Sequence, residues 1–249
     1  MAKSPYIDKE RFDEALYRVM AEDTLSGGIG TLGEKSLHKT VKYYLEPDDT
    51  YHEIDYLGCV ADIMKDGEII EVQTGSFAPL ATKFSRFLPK CKVTLVHPLV
   101  AEKTVRKWED TRGEFSPPRK SPRRKTHFDL GYELFKISRF IPNDNLTVRI
   151  LYLECEEYKR SVKAKRHNSF SKLECIPRGI IGTLELKTRE DYRVFIPDGL
   201  GDKFTAKEYY KAIKSRSRYD YYCLRLLMHL GLIERIGKDK NAYIYKKNI

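Results

Sequence analysis

Residues 60–74 read V-A-D-I-M-K-D-G-E-I-I-E-V-Q-T. Asp66-Gly67 at the centre is the dipeptide of a type I′ hairpin turn, flanked on both sides by β-branched and apolar residues. With that pair as the turn, Lys65 faces Glu68, Met64 faces Ile69, Ile63 faces Ile70, and Asp62 stands opposite Glu71. Directly opposed residues have Cβ atoms roughly 5 Å apart, so two carboxylates placed this way repel unless something lies between them. A divalent cation is the simplest resolution. Ala61, Ile63, Ile70 and Val72 share the other face, as in a hairpin lying on a core. Gln73 follows Glu71 by two residues, which puts its amide on the carboxylate face.

The residues on either side supply a frame for this hairpin. Over residues 8–21, Phe12, Ala15, Leu16, Val19 and Met20 recur at helical spacing and predict an amphipathic helix. The glycine-rich run from Ser26 to Gly33 lacks the G-K-[ST] of a phosphate-binding loop and reads as an entry loop. A second helix is expected from Leu32 to Leu45, ended by Pro47, with Glu34, His38, Val41 and Leu45 on one stripe. Glu34 there either needs a polar partner or serves the helix dipole from the first turn. His38, taken alone, reads as a packed and hydrogen-bonded histidine. Tyr51 to Tyr56 predicts a strand, with Glu53 and Asp55 as further acidic candidates. Beyond the hairpin, Phe77, Leu80, Phe84, Phe87 and Leu88 mark a helix, and Lys92 to His97 marks a strand.

Helix, three strands, helix, strand, with Glu34 on the leading helix, Asp62 in the hairpin and Glu71-Val72-Gln73 after the turn, resembles the PD-(D/E)xK, or restriction-endonuclease-like, nuclease superfamily over residues 30–100. The resemblance implies an α/β fold, a mixed sheet flanked by helices. It implies that Asp62, Glu71 and the Val72 carbonyl hold Mg²⁺ or Mn²⁺, with Glu34 as an auxiliary ligand. The family's usual Lys, which helps to activate water, is Gln73 here. An amide orients a water or contacts phosphate but carries no charge, and some family members work with this substitution. Lys83, on the following helix, is the candidate for the missing cation. The alternative for the hairpin is a surface element whose carboxylates are simply solvated.

From Arg112 the sequence R-G-E-F-S-P-P-R-K-S-P-R-R-K-T is basic and interrupted by proline, which predicts a loop. Arg119, Lys120, Arg123, Arg124 and Lys125 would neutralise phosphates there without reading bases, unless the segment is only a solvated connector. Leu130 to Phe140 suggests a helix, and Leu146 to Glu154 a strand that extends the first sheet. A second basic run follows, with Arg160, Lys163, Lys165 and Arg166.

Over residues 203–249 a capping box at Thr205 and Glu208 opens one helix, and a second ends at Gly231. Two short strands then flank residues 237–241. Two helices and a two-stranded wing resemble a winged helix-turn-helix. The resemblance implies that Arg216, Arg218, Tyr219 and Tyr221 face bases or phosphates and that Lys238 and Lys240 lie on the wing. The chain is thus expected to hold a nuclease-like domain over 1–160, a basic connecting segment over 161–202, and a winged helix over 203–249.

The 249 residues carry a formal charge of +10, with a pI near 9.2, which favours an anionic partner, with nucleic acid ahead of membrane. No apolar run approaches a membrane span and no signal peptide opens the chain, so a cytoplasmic location is expected. Five scattered cysteines form no C-x-x-C spacing and read as reduced thiols. The leading expectation is a Mg²⁺- or Mn²⁺-dependent endonuclease acting on DNA, with a homodimer admitted by the resemblance. Its rivals are a nuclease-fold protein that binds DNA without cutting it and a module whose winged helix docks a protein.

Overall fold

The computed structural model describes residues 7–25, 33–109, 113–162, 169–214 and 217–248. The chain divides into two compact units. One takes in the residues up to Thr74, Val96–Lys125 and Arg149–Leu184; the other takes in Gly75–Leu95, Thr126–Val148 and the residues from Glu185 onward. The architecture is mixed α/β, with a large mixed sheet flanked by helices and a separate small antiparallel sheet.

Two helices, α1 (Lys9–Leu25) and α2 (Gly33–Leu45), open the first unit. Phe12, Ala15 and Val19 of α1 are buried, but Met20 is 46% exposed, so the apolar stripe is narrower than the sequence suggests. Leu37, Val41 and Tyr44 of α2 complete a core with Val72, Val96, Leu151, Leu153 and Cys155 from the sheet. The exit of α2 is tied down by guanidinium groups. Arg11 donates at 2.7 Å to the Leu45 carbonyl, an acceptor that the helix end leaves over, and Arg18 donates at 2.8 Å to the Pro47 carbonyl just beyond it.

The large sheet is built from β1 (His52–Tyr56), β2 (Cys59–Lys65), β3 (Glu68–Val72), β4 (Val93–Glu109), β5 (Glu114–Phe115), β6 (Arg119–Lys120), β7 (Leu146–Val162) and β8 (Ser169–Leu186). Its order is β1-β2-β3-β4-β7-β8, with β5 and β6 paired to β4. The β2–β3 register places Ile63 on Ile70, Met64 on Ile69 and Lys65 on Glu68, as the Asp66-Gly67 turn requires. Both turn residues take positive φ, +51° and +77°, the signature of type I′.

Two stretches differ from the sequence expectation. The basic segment after Arg112 is not a free loop: β5 and β6 return along β4, and Phe115 stands edge-on to both Trp108 and Tyr158, with ring centroids 5.1 and 5.0 Å away. Within the span expected to connect domains, residues 169–186 form β8, and β4 and β7 also run far past their apolar segments. The reason is cross-strand charge pairing. Glu156 on β7 accepts from Arg106 on β4 and Arg178 on β8, and Glu157 on β7 pairs with Lys103 on β4 at 2.9 Å, with Lys159 of its own strand 3.2 Å away. Polar residues that read as loop are therefore satisfied within the ladder.

The second unit contains α3 (Leu80–Phe87), the six-residue α4 (Gly131–Lys136), β9 (Lys203–Thr205), α5 (Ala206–Ala212), α6 (Tyr221–His229), β10 (Ile233–Asp239) and β11 (Ala242–Lys247). The last three strands form a sheet in the order β10-β11-β9. The Thr205–Glu208 capping box is present, and Gly231 closes α6 with φ +64°. The hairpin strands continue through Gly237 to Asp239, so its turn is shorter than expected. The five cysteines are free, three of them buried.

Gly131 lets α4 and α6 approach: a Cβ there would lie 2.2 Å from the Cys223 Sγ and 2.9 Å from its backbone nitrogen. Helix propensity alone makes Gly131→Ala stabilising by about 1 kcal/mol. Overlap with backbone reverses the sign, and a net loss of about 1–3 kcal/mol is expected. It is checked by the urea midpoint at unchanged denaturant slope.

Candidate functional site

The carboxylate face of the hairpin is organised by Asp62. Its Oδ2 accepts the Val72 N–H at 2.7 Å and lies 3.4 Å from the Nε2 of His38 on α2. The β2–β3 register ends at Ile63–Ile70; carried one residue further it would set Asp62 against Glu71, which is only 1% exposed. Opposed residues in a sheet have Cβ atoms about 5 Å apart, a spacing at which like charges repel. Burying one of them adds a desolvation cost.

A third carboxylate belongs to the same row. His52 pairs with Ile63 and Ile54 with Ala61, which places Glu53 of β1 across from Asp62 on its other side. Glu53 takes φ +53°, a left-handed conformation that costs a non-glycine residue about 1–3 kcal/mol. It is ion-paired with Lys42, whose side chain is 8% exposed. His38 and Lys42 are one turn apart on α2 and line an open cleft of about 690 Å³ with Lys39, His52, Glu53 and Thr74. The cleft thus carries two ammonium groups, two imidazoles and the carboxylates of Asp49 and Glu53, and His38 among its lining residues touches Asp62.

Surrounding contacts hold these groups in place. Gln73 is fixed by its backbone: its N–H donates to the Val96 carbonyl at 2.9 Å, and its own carbonyl accepts from His97 Nδ1 at 2.6 Å. Glu46, just past α2, accepts from Lys65 of β2 at 2.8 Å and from the Asp48 N–H at 3.1 Å. Burial opposes its ionisation, but those two donors outweigh burial and hold its pKa below the ordinary value.

The residues singled out in the sequence are therefore dispersed unequally. Of Asp62, Glu71, Val72 and Gln73, Asp62 touches Val72, and Glu71 and Gln73 are the residues on either side of Val72. Glu34 is in the first turn of α2 by its backbone, and its side chain lies outside the described residues. Lys83 is on α3, in the other unit. Lys42 is the residue that sequence reasoning missed, although Glu34, His38 and Lys42 follow one another at intervals of four, the spacing of one helical face. Lys120 and Arg124 of the return segment are both paired with Glu102, at 2.9 and 3.2 Å, while Arg119 lies on β6 and Arg123 and Lys125 follow it. In the second unit, Arg218, Tyr219 and Tyr221 cluster at the start of α6, and Arg216 lies outside the described residues. Lys238 rests over the Tyr243 ring at 4.6 Å, and Lys240 occupies the hairpin turn. Lys163, Lys165 and Arg166 also lie outside the described residues. Among the described residues, no group of three or more His, Cys, Asp and Glu side chains is placed to hold a metal ion, and no helix is long and apolar enough to cross a membrane.

Fold and site define a mixed α/β protein that carries an acidic hairpin beside a cleft lined by both ammonium and carboxylate groups. The chain belongs to the family described as a domain of unknown function, DUF8091, which matches residues 35–187. That span holds β1 to β8 and every cleft residue named above; Glu34 and the small three-stranded sheet fall outside it. An uncharacterized protein of Treponema pallidum (strain Nichols) is 27% identical over 166 residues, which is 66% of this chain and 64% of the relative. The chain thus spans a little under two thirds of that relative's length. No solved structure matches.

Two histidines are held neutral by their surroundings. Burial pushes His52 and His127 below the ordinary imidazole pKa, while each donates through Nε2 to a backbone carbonyl, Glu46 at 2.9 Å and Val194 at 3.0 Å. A pKa lower in the folded than in the unfolded chain gives stability that is complete above the unfolded value of about 6.5 and is lost as pH falls through the folded one. Stability should therefore drop between about pH 7 and about pH 5. In a His52→Gln variant, which keeps the donor, the drop should be shallower. Urea unfolding at the two pH values checks this.

Proposed function

We propose that the chain is a metal-dependent nuclease hydrolysing phosphodiester bonds in nucleic acid, with DNA as the favoured substrate, on a restriction-endonuclease-like scaffold. The observation that carries this is the opposed pair Asp62 and Glu71, one sequestered from water, next to a cleft lined by Lys39 and Lys42. The donor chemistry fits Mg²⁺ or Mn²⁺, which prefer oxygen ligands. Magnesium is commonly held by only one or two protein carboxylates, water and substrate phosphate completing its shell. Asp62 and Glu71 provide that number, and the Val72 carbonyl and Glu34 are the further ligands the family resemblance implies. When bound, such an ion polarises the phosphate and acidifies the attacking water.

The chain's own residues do the rest. His38 and the Val72 N–H fix the orientation of Asp62. Lys42 exchanges its Glu53 partner for a non-bridging phosphate oxygen and supplies the positive charge that Gln73 lacks. The Gln73 amide, on the carboxylate side of the hairpin, orients water by hydrogen bonding. Substrate positioning falls to the C-terminal module. Its order β9-α5-α6-β10-β11, with α4 close against α6, supports a winged-helix reading in which Arg218, Tyr219 and Tyr221 meet nucleic acid. Gln73 itself favours a second reading, nucleic-acid binding without turnover.

A panel of linear, supercoiled, branched and single-stranded DNA and of RNA, incubated with Mg²⁺ or Mn²⁺, separates the two. Wild type should cut at least one member. Asp62→Ala and Glu71→Ala should lose at least about a hundred-fold, and Lys42→Met should lose more than Lys42→Arg. Independently of turnover, Mn²⁺ should raise the melting temperature of wild type but not of either carboxylate variant. Binding without cutting on every substrate would favour the second reading, and absence of both would remove the nuclease reading altogether.

A further inference from the structure

The start of α6 and the exposed side of α4 carry a continuous patch of rings and cations, all within the second unit. Tyr132 stacks on Tyr219 with centroids 4.9 Å apart and planes 22° apart. Tyr222 contacts Tyr132 at 4.6 Å, Phe135 at 5.2 Å and Tyr221 at 4.1 Å. Five rings are thereby joined in stacked or tilted contact across α4 and the start of α6. The outer members, Tyr219 and Tyr221, are 41% and 38% exposed, which is unusual for rings whose neighbours are packed.

Cations stand on the patch rather than beside acids. The Arg218 guanidinium lies 4.9 Å above the Tyr219 ring and donates to its hydroxyl at 2.8 Å; Arg225 lies 4.8 Å above Phe135. Neither guanidinium has a carboxylate partner among the described residues, whereas Lys120, Arg124, Arg106 and Arg178 all do. Exposed planar rings with uncompensated planar cations are complementary to a ligand that offers flat π-faces joined by anions. A nucleic acid strand whose bases are unpaired has both; in a duplex the base faces are stacked on one another and closed to the protein.

We infer that this α4–α6 face is a stacking platform for unpaired bases, with the flanking phosphates on Arg218 and Arg225, so that the nucleic acid bound is single-stranded or carries a single-stranded end or flap. This rests on the nucleic-acid reading above and narrows it. A flat base takes the place over Tyr219 that the Arg218 guanidinium now occupies, and the guanidinium moves to the adjoining phosphate.

The test is equilibrium binding of the full chain, without divalent metal, to a fluorescent single strand, the matched blunt duplex, and the duplex with a single-stranded flap. Single strand and flap should bind more tightly than the blunt duplex. Tyr219→Ala and Tyr221→Ala should each weaken them by roughly five-fold to a hundred-fold and leave the duplex unchanged. Tyr219→Phe and Tyr221→Phe, which keep the ring, should bind as wild type and control for folding. Arg218→Ala and Arg225→Ala should each flatten the salt dependence by about 0.7 of a log–log unit on single strands. Equal or tighter binding to blunt duplex, or alanine variants that bind single strands as wild type does, would overturn the platform and leave the nuclease reading intact. Single-strand binding through these tyrosines by a protein that never cuts would keep the platform and remove the nuclease. Failure to bind any nucleic acid would overturn both.

Discussion

The registers of β1, β2 and β3, carried through, would set Glu53, Asp62 and Glu71 in one row across three adjacent strands, and the repulsion this implies is the constraint on the hairpin. Each charge is handled differently. Glu53 leaves the row through a left-handed backbone and takes Lys42; Asp62 is held by a backbone N–H and an imidazole; Glu71 is buried. A sheet selected only for stability would place Thr or Val at such positions, since opposed carboxylates contribute nothing favourable there. Three carboxylates placed at that cost are what the nuclease reading proposed above draws on.

Holding the row in place requires the two helices. His38 and Lys42 reach the hairpin only because α2 lies with Leu37, Val41 and Tyr44 in the core, so its polar stripe is turned toward the cleft. The tether of α2 to α1 through Arg11 and Arg18, and to β2 through Glu46 and Lys65, fixes its end on both sides. Core packing supplies the stability; these polar ties supply the register between helix and hairpin. Exposed pairs contribute little energy individually, but a bond to an otherwise unsatisfied helix-end carbonyl also restricts where the helix can stop.

How much of this was legible in the sequence depended on the range of the interaction. The hairpin register was readable because Asp66-Gly67 determines it locally. The capping box of α5 and the glycine that ends α6 were readable for the same reason. The long arms of β4, β7 and β8 were not, because what stabilises their polar halves is pairing between residues 50 and 22 positions apart, Arg106 and Arg178 with Glu156. Hydropathy along one strand cannot register a partner on another. Lys42 was hidden in a similar way. A lysine on an amphipathic helix ordinarily reads as a solvated charge, and only the arrival of β1, with Glu53 in its strained conformation, makes it a buried one.

That strained residue bears on the missing motif lysine. A cation at position 73 would sit on the sheet beside the carboxylates, where its charge would be partly spent on neutralising them. Lys42 approaches from the helix side, and its apo partner is Glu53, which is 60% exposed and reached only by a disfavoured backbone conformation. Under the proposed nuclease reading, phosphate replacing that partner would let Glu53 relax toward ordinary strand geometry. The charge that Gln73 does not supply would then come from Lys42 on a helix, where it is paired with an exposed carboxylate.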